Sequence, residues 1–140
     1  MTKPETETMD HCFTYRVYTE DTDLMGIVYH ANYLCFFERA RTEMLRDNGL
    51  SLTMMATYGT YFAIHDIHIR YLSPARLDDV LTIKSTCERK KSCSMIFRQV
   101  MHNQLGKILS EAIIQVVCVN KNLKPKPLPE EFIIKRLITH

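Results

Sequence analysis

One segment of this 140-residue chain carries a helical stripe, and that stripe constrains everything around it. Tyr33, Phe36, Phe37, Ala40, Met44 and Leu45 recur at three- and four-residue steps, with Glu38, Arg39, Arg41, Glu43, Arg46 and Asp47 on the other face. Tyr29-His30 stand at the predicted first turn and Asn48-Gly49 at the stop. A helix with a single wide apolar face must lie across something flat.

The rest of the chain is patterned to supply a sheet. Phe13 to Tyr18 alternates and is rich in strand formers. Ala63, His65, Ile67, Ile69 and Tyr71 fall on one face of a strand, with Asp66, His68 and Arg70 on the other, and the run stops at Ser73-Pro74. Leu81, Ile83, Ser85 and Cys87 alternate with Thr82, Lys84, Thr86 and Glu88. Glu88 to Lys91 reads as a turn into a strand over Ser94 to His102, and Asn103 to Lys107 as a second turn containing Gly106. The apolar density of Ile108 to Val119 indicates burial on both faces. Pro125, Pro127 and Pro129 then break the chain before a short helix, Glu130 to Leu137. Strand, long helix and at least four strands predict an α+β layer in which an antiparallel sheet wraps the helix. The length suits one domain over 12–140, preceded by a flexible tail over 1–11.

Composition narrows the function classes. With 46% hydrophobic and 24% charged residues the chain is not of disordered, collagen-like or coiled-coil type. A formal charge of +2 is too small to argue for nucleic acid, although residues 1–23 hold two basic against six acidic side chains, leaving the excess of bases downstream. Cys12, Cys35, Cys87, Cys93 and Cys118 form no CxxC pair, and His11, His65, His68 and His102 make no ligand cluster, so neither a disulfide framework nor a metal site is expected. There is no basic-then-apolar leader and no run of about 18 apolar residues. A cytoplasmic protein without membrane insertion is the expectation.

The chemistry concentrates between Arg16 and Tyr33, RVYTEDTDLMGIVYHANY. Glu20, Asp21 and Asp23 lie in a loop before a helix start, where backbone N–H groups lack intrahelical partners and the helix dipole is positive. Any one of them alone reads as a cap. Asp23 stands apart because Gly26 follows at the third position, then Ile27-Val28, then Tyr29-His30. A carboxylate, a glycine-opened approach and free N–H groups are the parts needed to attack a carbonyl and hold an oxyanion, the requirements of acyl transfer. His30 either protonates a leaving group or is simply a solvated residue at a helix start.

Arg16-Val17, Thr22-Asp23, Gly26-Ile27-Val28, His30 and Tyr33, at these spacings, resemble the signature of the 4-hydroxybenzoyl-CoA thioesterase family of hot-dog-fold enzymes. YHANY and FFERARTEMLR are most similar to its Tol-Pal-associated, YbgC-like acyl-CoA thioesterase branch. The resemblance implies a hot-dog fold over residues 12–120 and hydrolysis of acyl-CoA thioesters to free acid and CoA. It makes Asp23 the catalytic carboxylate, as nucleophile or as base for water, and puts His30 at the oxyanion position, with Tyr29 and Gly26 shaping the pocket. Ile64 and His65 correspond to the segment lining the pantetheine channel. Lys90 and Lys91 fall where some relatives contact the nucleotide, although a three-residue basic run is also an ordinary solvated turn. The family uses no metal, and CoA enters as part of the substrate, not as a cofactor. Such chains pair edge to edge, so a homodimer or tetramer is expected. Acyl carrier protein is an alternative donor, and a peripheral link to cell-envelope machinery follows from the branch. Rival readings are a hot-dog hydratase or dehydratase on acyl carrier protein, and a non-catalytic acyl-CoA-binding or scaffold protein. Leu24-Met25 replaces the Pro-Ala or Gly-rich pairs of some relatives, which leaves the acyl preference open.

Overall fold

The period-two runs become five antiparallel strands in the computed structural model, which describes residues 8–129. These are β1 (Thr8–Arg16), β2 (Tyr61–Tyr71), β3 (Val80–Lys91), β4 (Ser94–His102) and β5 (Ile108–Val119), in the sheet order β1-β3-β4-β5-β2. Between β1 and β2 lie the long helix α1 (Asn32–Asp47) and a one-and-a-half-turn helix α2 (Leu52–Thr57). The sheet packed against one long helix is the expected hot-dog arrangement.

The register explains how the apolar stripe is covered. Paired residues share a sheet face, so the rows Phe13-Ile83-Met101, Cys87-Phe97-Ile114 and Met95-Val116-Ile64 all look toward α1. Phe36, Phe37, Ala40, Met44 and Leu45 fill the space between and are buried. Gln99 is the polar exception in this core, only 1% exposed. Its Nε2 donates to the Phe37 carbonyl (2.9 Å) and to Ser85 Oγ (2.9 Å), and its Oε1 accepts from Arg41 Nη1 (3.0 Å), so the amide is satisfied and ties α1 to β3 and β4.

Several sequence expectations are corrected. Residues 8–11 are not tail: they pair with β3, with Thr8 opposite Glu88 and His11 opposite Ser85. Glu88 to Lys91 is not a turn but the end of β3, and Ser92-Cys93 makes the hairpin, because exposed strand positions accept charge. The regular helix begins at Asn32, two residues after Tyr29-His30, which precede it as a tighter turn closed by bonds such as Asn32 N–H to the Tyr29 carbonyl (2.8 Å). β5 is buried mainly on one face; Ile113, on the other, is exposed. In β2 the register slips between Ile64 and Asp66, leaving His65 as an extra residue. Phe62 and Ile64, not Ala63 and His65, therefore share the face of Ile67 and Ile69. Helix α2 was not anticipated; Ser51 Oγ caps it by accepting from Met54 N–H (3.1 Å). The short helix expected over 130–137 lies outside the described residues, as do residues 1–7 of the expected tail.

Candidate active site

The acidic stretch after β1 folds into a small hairpin that sets its own backbone. Thr22 bridges Val28, Asp23 N–H donates to the Ile27 carbonyl (2.9 Å), and Gly26 N–H returns to the Asp23 carbonyl (3.1 Å). Gly26 closes this turn at φ +75, where a Cβ would meet no atom within 4 Å. The glycine is needed for its backbone angle and not for space. Asp23 Oδ1 accepts from Met25 N–H (2.8 Å), an Asx turn that leaves Oδ2 free to act. The hairpin is anchored to the loop between β2 and β3 through Val28 N–H to the Ala75 carbonyl (2.8 Å) and Leu77 N–H to the Gly26 carbonyl (3.2 Å).

The same hairpin delivers the chain to the start of α1. Tyr29 N–H and Asn32 Nδ2 both donate to the Asp21 carbonyl, each at 3.0 Å. Asn32, Tyr33 and Leu34 donate their N–H groups three residues back, but His30 and Ala31 have no backbone acceptor among the described residues. Two successive amides at the positive end of a 16-residue helix are thus left without a backbone partner. The His30 carbonyl accepts from Tyr71 Oη (3.0 Å), while the His30 ring meets Tyr29 at 4.6 Å between centroids and Tyr71 at 6.5 Å. Tyr33, buried beneath, accepts from Ala75 N–H through its hydroxyl (2.9 Å) and fixes the loop from below. Burial raises the pKa of that hydroxyl and, more strongly, that of Tyr15 beside it.

Within one chain the expected site residues do not come together. Asp23, Gly26, Tyr29 and His30 cluster at the Tyr71 end of the sheet, Ile64 and His65 stand near the middle of β2, about 20 Å along the strand from Tyr71, and Lys90 and Lys91 lie at the opposite end, about 33 Å away along β3. Asp23 and His30 are exposed, and neither lines the cavity beside α1 or the one beside Tyr61. One cavity, about 260 Å³, runs between α1 and the β2 edge and is walled by Leu45, Phe62, Ile64 and Phe97 together with Glu38 and Arg41. Burial lowers the Arg41 pKa to about 10, so it remains a cation at neutral pH. A second cavity beside Tyr61 includes Lys121. The sequence reading missed Arg41 and Lys121. Arg41 had a signal: it sits four residues from both Phe37 and Leu45, on the margin of the buried stripe.

The model of the thioesterase-like superfamily matches residues 17–135 of the chain. The chain belongs to that superfamily. It is 41% identical over 119 residues to the acyl-CoA thioester hydrolase YbgC of Escherichia coli O6:H1, covering 84% of this chain and 89% of the relative. It is also 42% identical over 122 residues to the acyl-CoA thioesterase YbgC of Haemophilus influenzae, covering 85% and 88%. Among solved structures, a probable thioesterase from Bartonella henselae superposes with a TM-score of 0.82 at 36% identity, over 86% of this chain and all of that one. The superfamily match starts at Val17 and takes in the whole Asp23–His30 hairpin.

Proposed function

We propose that this chain hydrolyses acyl-CoA thioesters, using Asp23 and the open amides of His30 and Ala31, in a site completed by a second copy of the chain. The observation that carries the reading is the pairing of a hairpin-held carboxylate with two undonated N–H groups at a helix start, in a chain so similar to YbgC thioesterases. The thioester carbonyl oxygen lies against the amides, which take up the charge that develops as the carbonyl carbon becomes tetrahedral. In one route water adds to that carbon and Asp23 accepts its proton. In the other the Asp23 carboxylate adds directly, and water then cleaves the resulting anhydride. In both the C–S bond breaks, the CoA sulfur leaves as thiolate and takes up a proton, and a free acid remains. Label in Asp23 after a single turnover in ¹⁸O-water marks the second route with water entering at the Asp23 carbonyl, and trapping of the anhydride by hydroxylamine marks that route when water enters at the substrate carbonyl.

The second copy resolves this separation of the site residues. Strand β2 is an edge of the sheet, with an unpaired backbone side. Ile64 is 49% exposed, Ile67 41% and Tyr71 47%, all on the face that should be covered. Antiparallel pairing of two β2 edges about a two-fold axis near the middle of the strand lays the Tyr61 half of one beside the Tyr71 half of the other. Ile64, His65, Lys90 and Lys91 of one copy then approach the Asp23 hairpin of its partner. In this arrangement the lysines face the phosphates of CoA, and Lys121 lies on the same side.

The test is release of free thiol from short, medium, long and aromatic acyl-CoA esters, alongside light scattering at micromolar concentration. Thiol release by a dimer or a higher even-numbered assembly is expected. Enoyl formation without thiol would instead indicate the hydratase reaction, tight binding without either product a carrier, and turnover confined to acyl carrier protein esters a different donor.

A further inference from the structure

The cavity between α1 and the β2 edge holds a cation that has no ion-pair partner among the described residues. Arg41 reaches into it from α1, largely withdrawn from water, and the Phe97 ring lies 5.8 Å beneath its guanidinium carbon. A guanidinium has five N–H donors. Among the described residues one donates, from Nη1 to Gln99 Oε1, and no carboxylate stands within ion-pair distance. Gln99 is itself held by Phe37 and Ser85, so it fixes where the guanidinium points. Glu38 lines the same cavity and its charge acts on the guanidinium, but it is exposed and makes no ion pair with it. A largely buried cation with spare donors at the wall of a mostly apolar cleft is matched by a planar oxygen pair.

From this geometry we infer that Arg41 selects the acyl group by receiving a carboxylate at its far end, so that the favoured substrates are CoA monothioesters of short dicarboxylic acids. At about 260 Å³ the cavity lies just below the roughly 300 Å³ at which sites for drug-sized ligands begin, a volume that suits a short chain. The apolar side chains of Phe62, Ile64 and Leu45 line the path of the methylenes, and the terminal carboxylate meets the guanidinium. The inference rests on the thioesterase reading for the location of the thioester end, while the cavity itself belongs to a single chain.

Adipoyl-CoA and hexanoyl-CoA have acyl chains of equal length and differ in the terminal carboxylate, so they form the test pair, with 6-hydroxyhexanoyl-CoA as the uncharged acceptor. The kcat/KM ratio of adipoyl to hexanoyl ester should exceed about tenfold in the native protein, fall at least tenfold in Arg41→Met, and be partly kept in Arg41→Lys. A merely structural Arg41 would lower both esters alike and leave the ratio where it was; that result, or a native ratio below one, overturns the inference. Preference for the hydroxyl-terminated ester over the carboxylate overturns it too. If neither ester is hydrolysed, the proposed activity fails by itself. Calorimetric titration of both esters into Asp23→Asn, with and without Arg41→Met, then decides the present point. Tighter adipoyl-CoA binding that depends on Arg41 sustains it, and equal binding refutes it.

Discussion

The two edges of the sheet are built differently. On β1 the exposed side chains include Asp10, Cys12, Thr14 and Arg16, while Phe13 and Tyr15 turn inward and stack on each other at 5.6 Å, with Tyr15 edge-on to Phe36 of α1 at 4.6 Å. On β2 the inward face itself is open: Ile64, Ile67 and Tyr71 look toward the helix layer without being covered by it. The helix is packed toward the β1 and β3 side, and the cavity occupies what it leaves over β2. An edge finished with polar groups is an end, and an edge left apolar invites another chain.

That contrast is most easily broken at Ile67. Replacing it by Lys puts a charge in the proposed seam at a position already partly exposed in the single chain. The expected result is a monomer by light scattering with thiol release reduced more than about a hundredfold, because the site is divided. Thr14→Lys on the β1 edge should change neither. Equal behaviour of the two variants would remove the distinction between the edges.

Smaller effects sharpen the same picture from inside. Gln99→Met cannot donate to Phe37 and Ser85 or accept from Arg41, and leaving those groups unpaired should cost about 1–3 kcal/mol, measured by urea unfolding. Gly26→Ala meets no steric contact, so its cost is that of a left-handed backbone, about 1–2 kcal/mol, with a melting point lowered by a few degrees. A larger loss there would mean that the hairpin is held by more than its own turn. At high pH the buried acids oppose unfolding less and less. Burial raises the pKa of the Cys87 thiol above its ordinary 9.0 and that of the Tyr15 hydroxyl above its ordinary 10.0. The unfolded chain therefore releases these protons first, and stability that is fully present below pH 9 should decline above it. Tyr15→Phe should flatten the tyrosine part of that decline in denaturant titrations from pH 8 to 11.

Much of this architecture is written in local pattern. Strands β4 and β5 begin and end at the residues expected from the alternation and from the Asn103 to Lys107 turn, and α1 is legible from its stripe. The Asp23–His30 segment is legible as well, because a tight hairpin needs its glycine in the right place and the spacing displays it. What escaped the pattern has physical reasons. The basic end of β3 reads as a turn because charge marks solvent exposure, which a strand at the sheet's end also offers. The bulge at His65 shifts faces without any change in composition, and α2 is too short to show a period. The separation of the candidate site residues along the sheet is invisible in sequence, since a linear signature does not say whether its parts meet within one chain or between two. Arg41 was read as one more charge on the outer face, whereas its Gln99 bond turns it inward.

The most direct measurement is thiol release from acyl-CoA by Asp23→Asn, with acyl-CoA binding followed by calorimetry on the same sample. Asn retains the oxygen that accepts from Met25 N–H, so the hairpin, the fold and the dimer should persist. The account predicts ester binding within a few-fold of the native protein and turnover lower by about a thousandfold or more. Native turnover in this variant, with the ester bound, would contradict it.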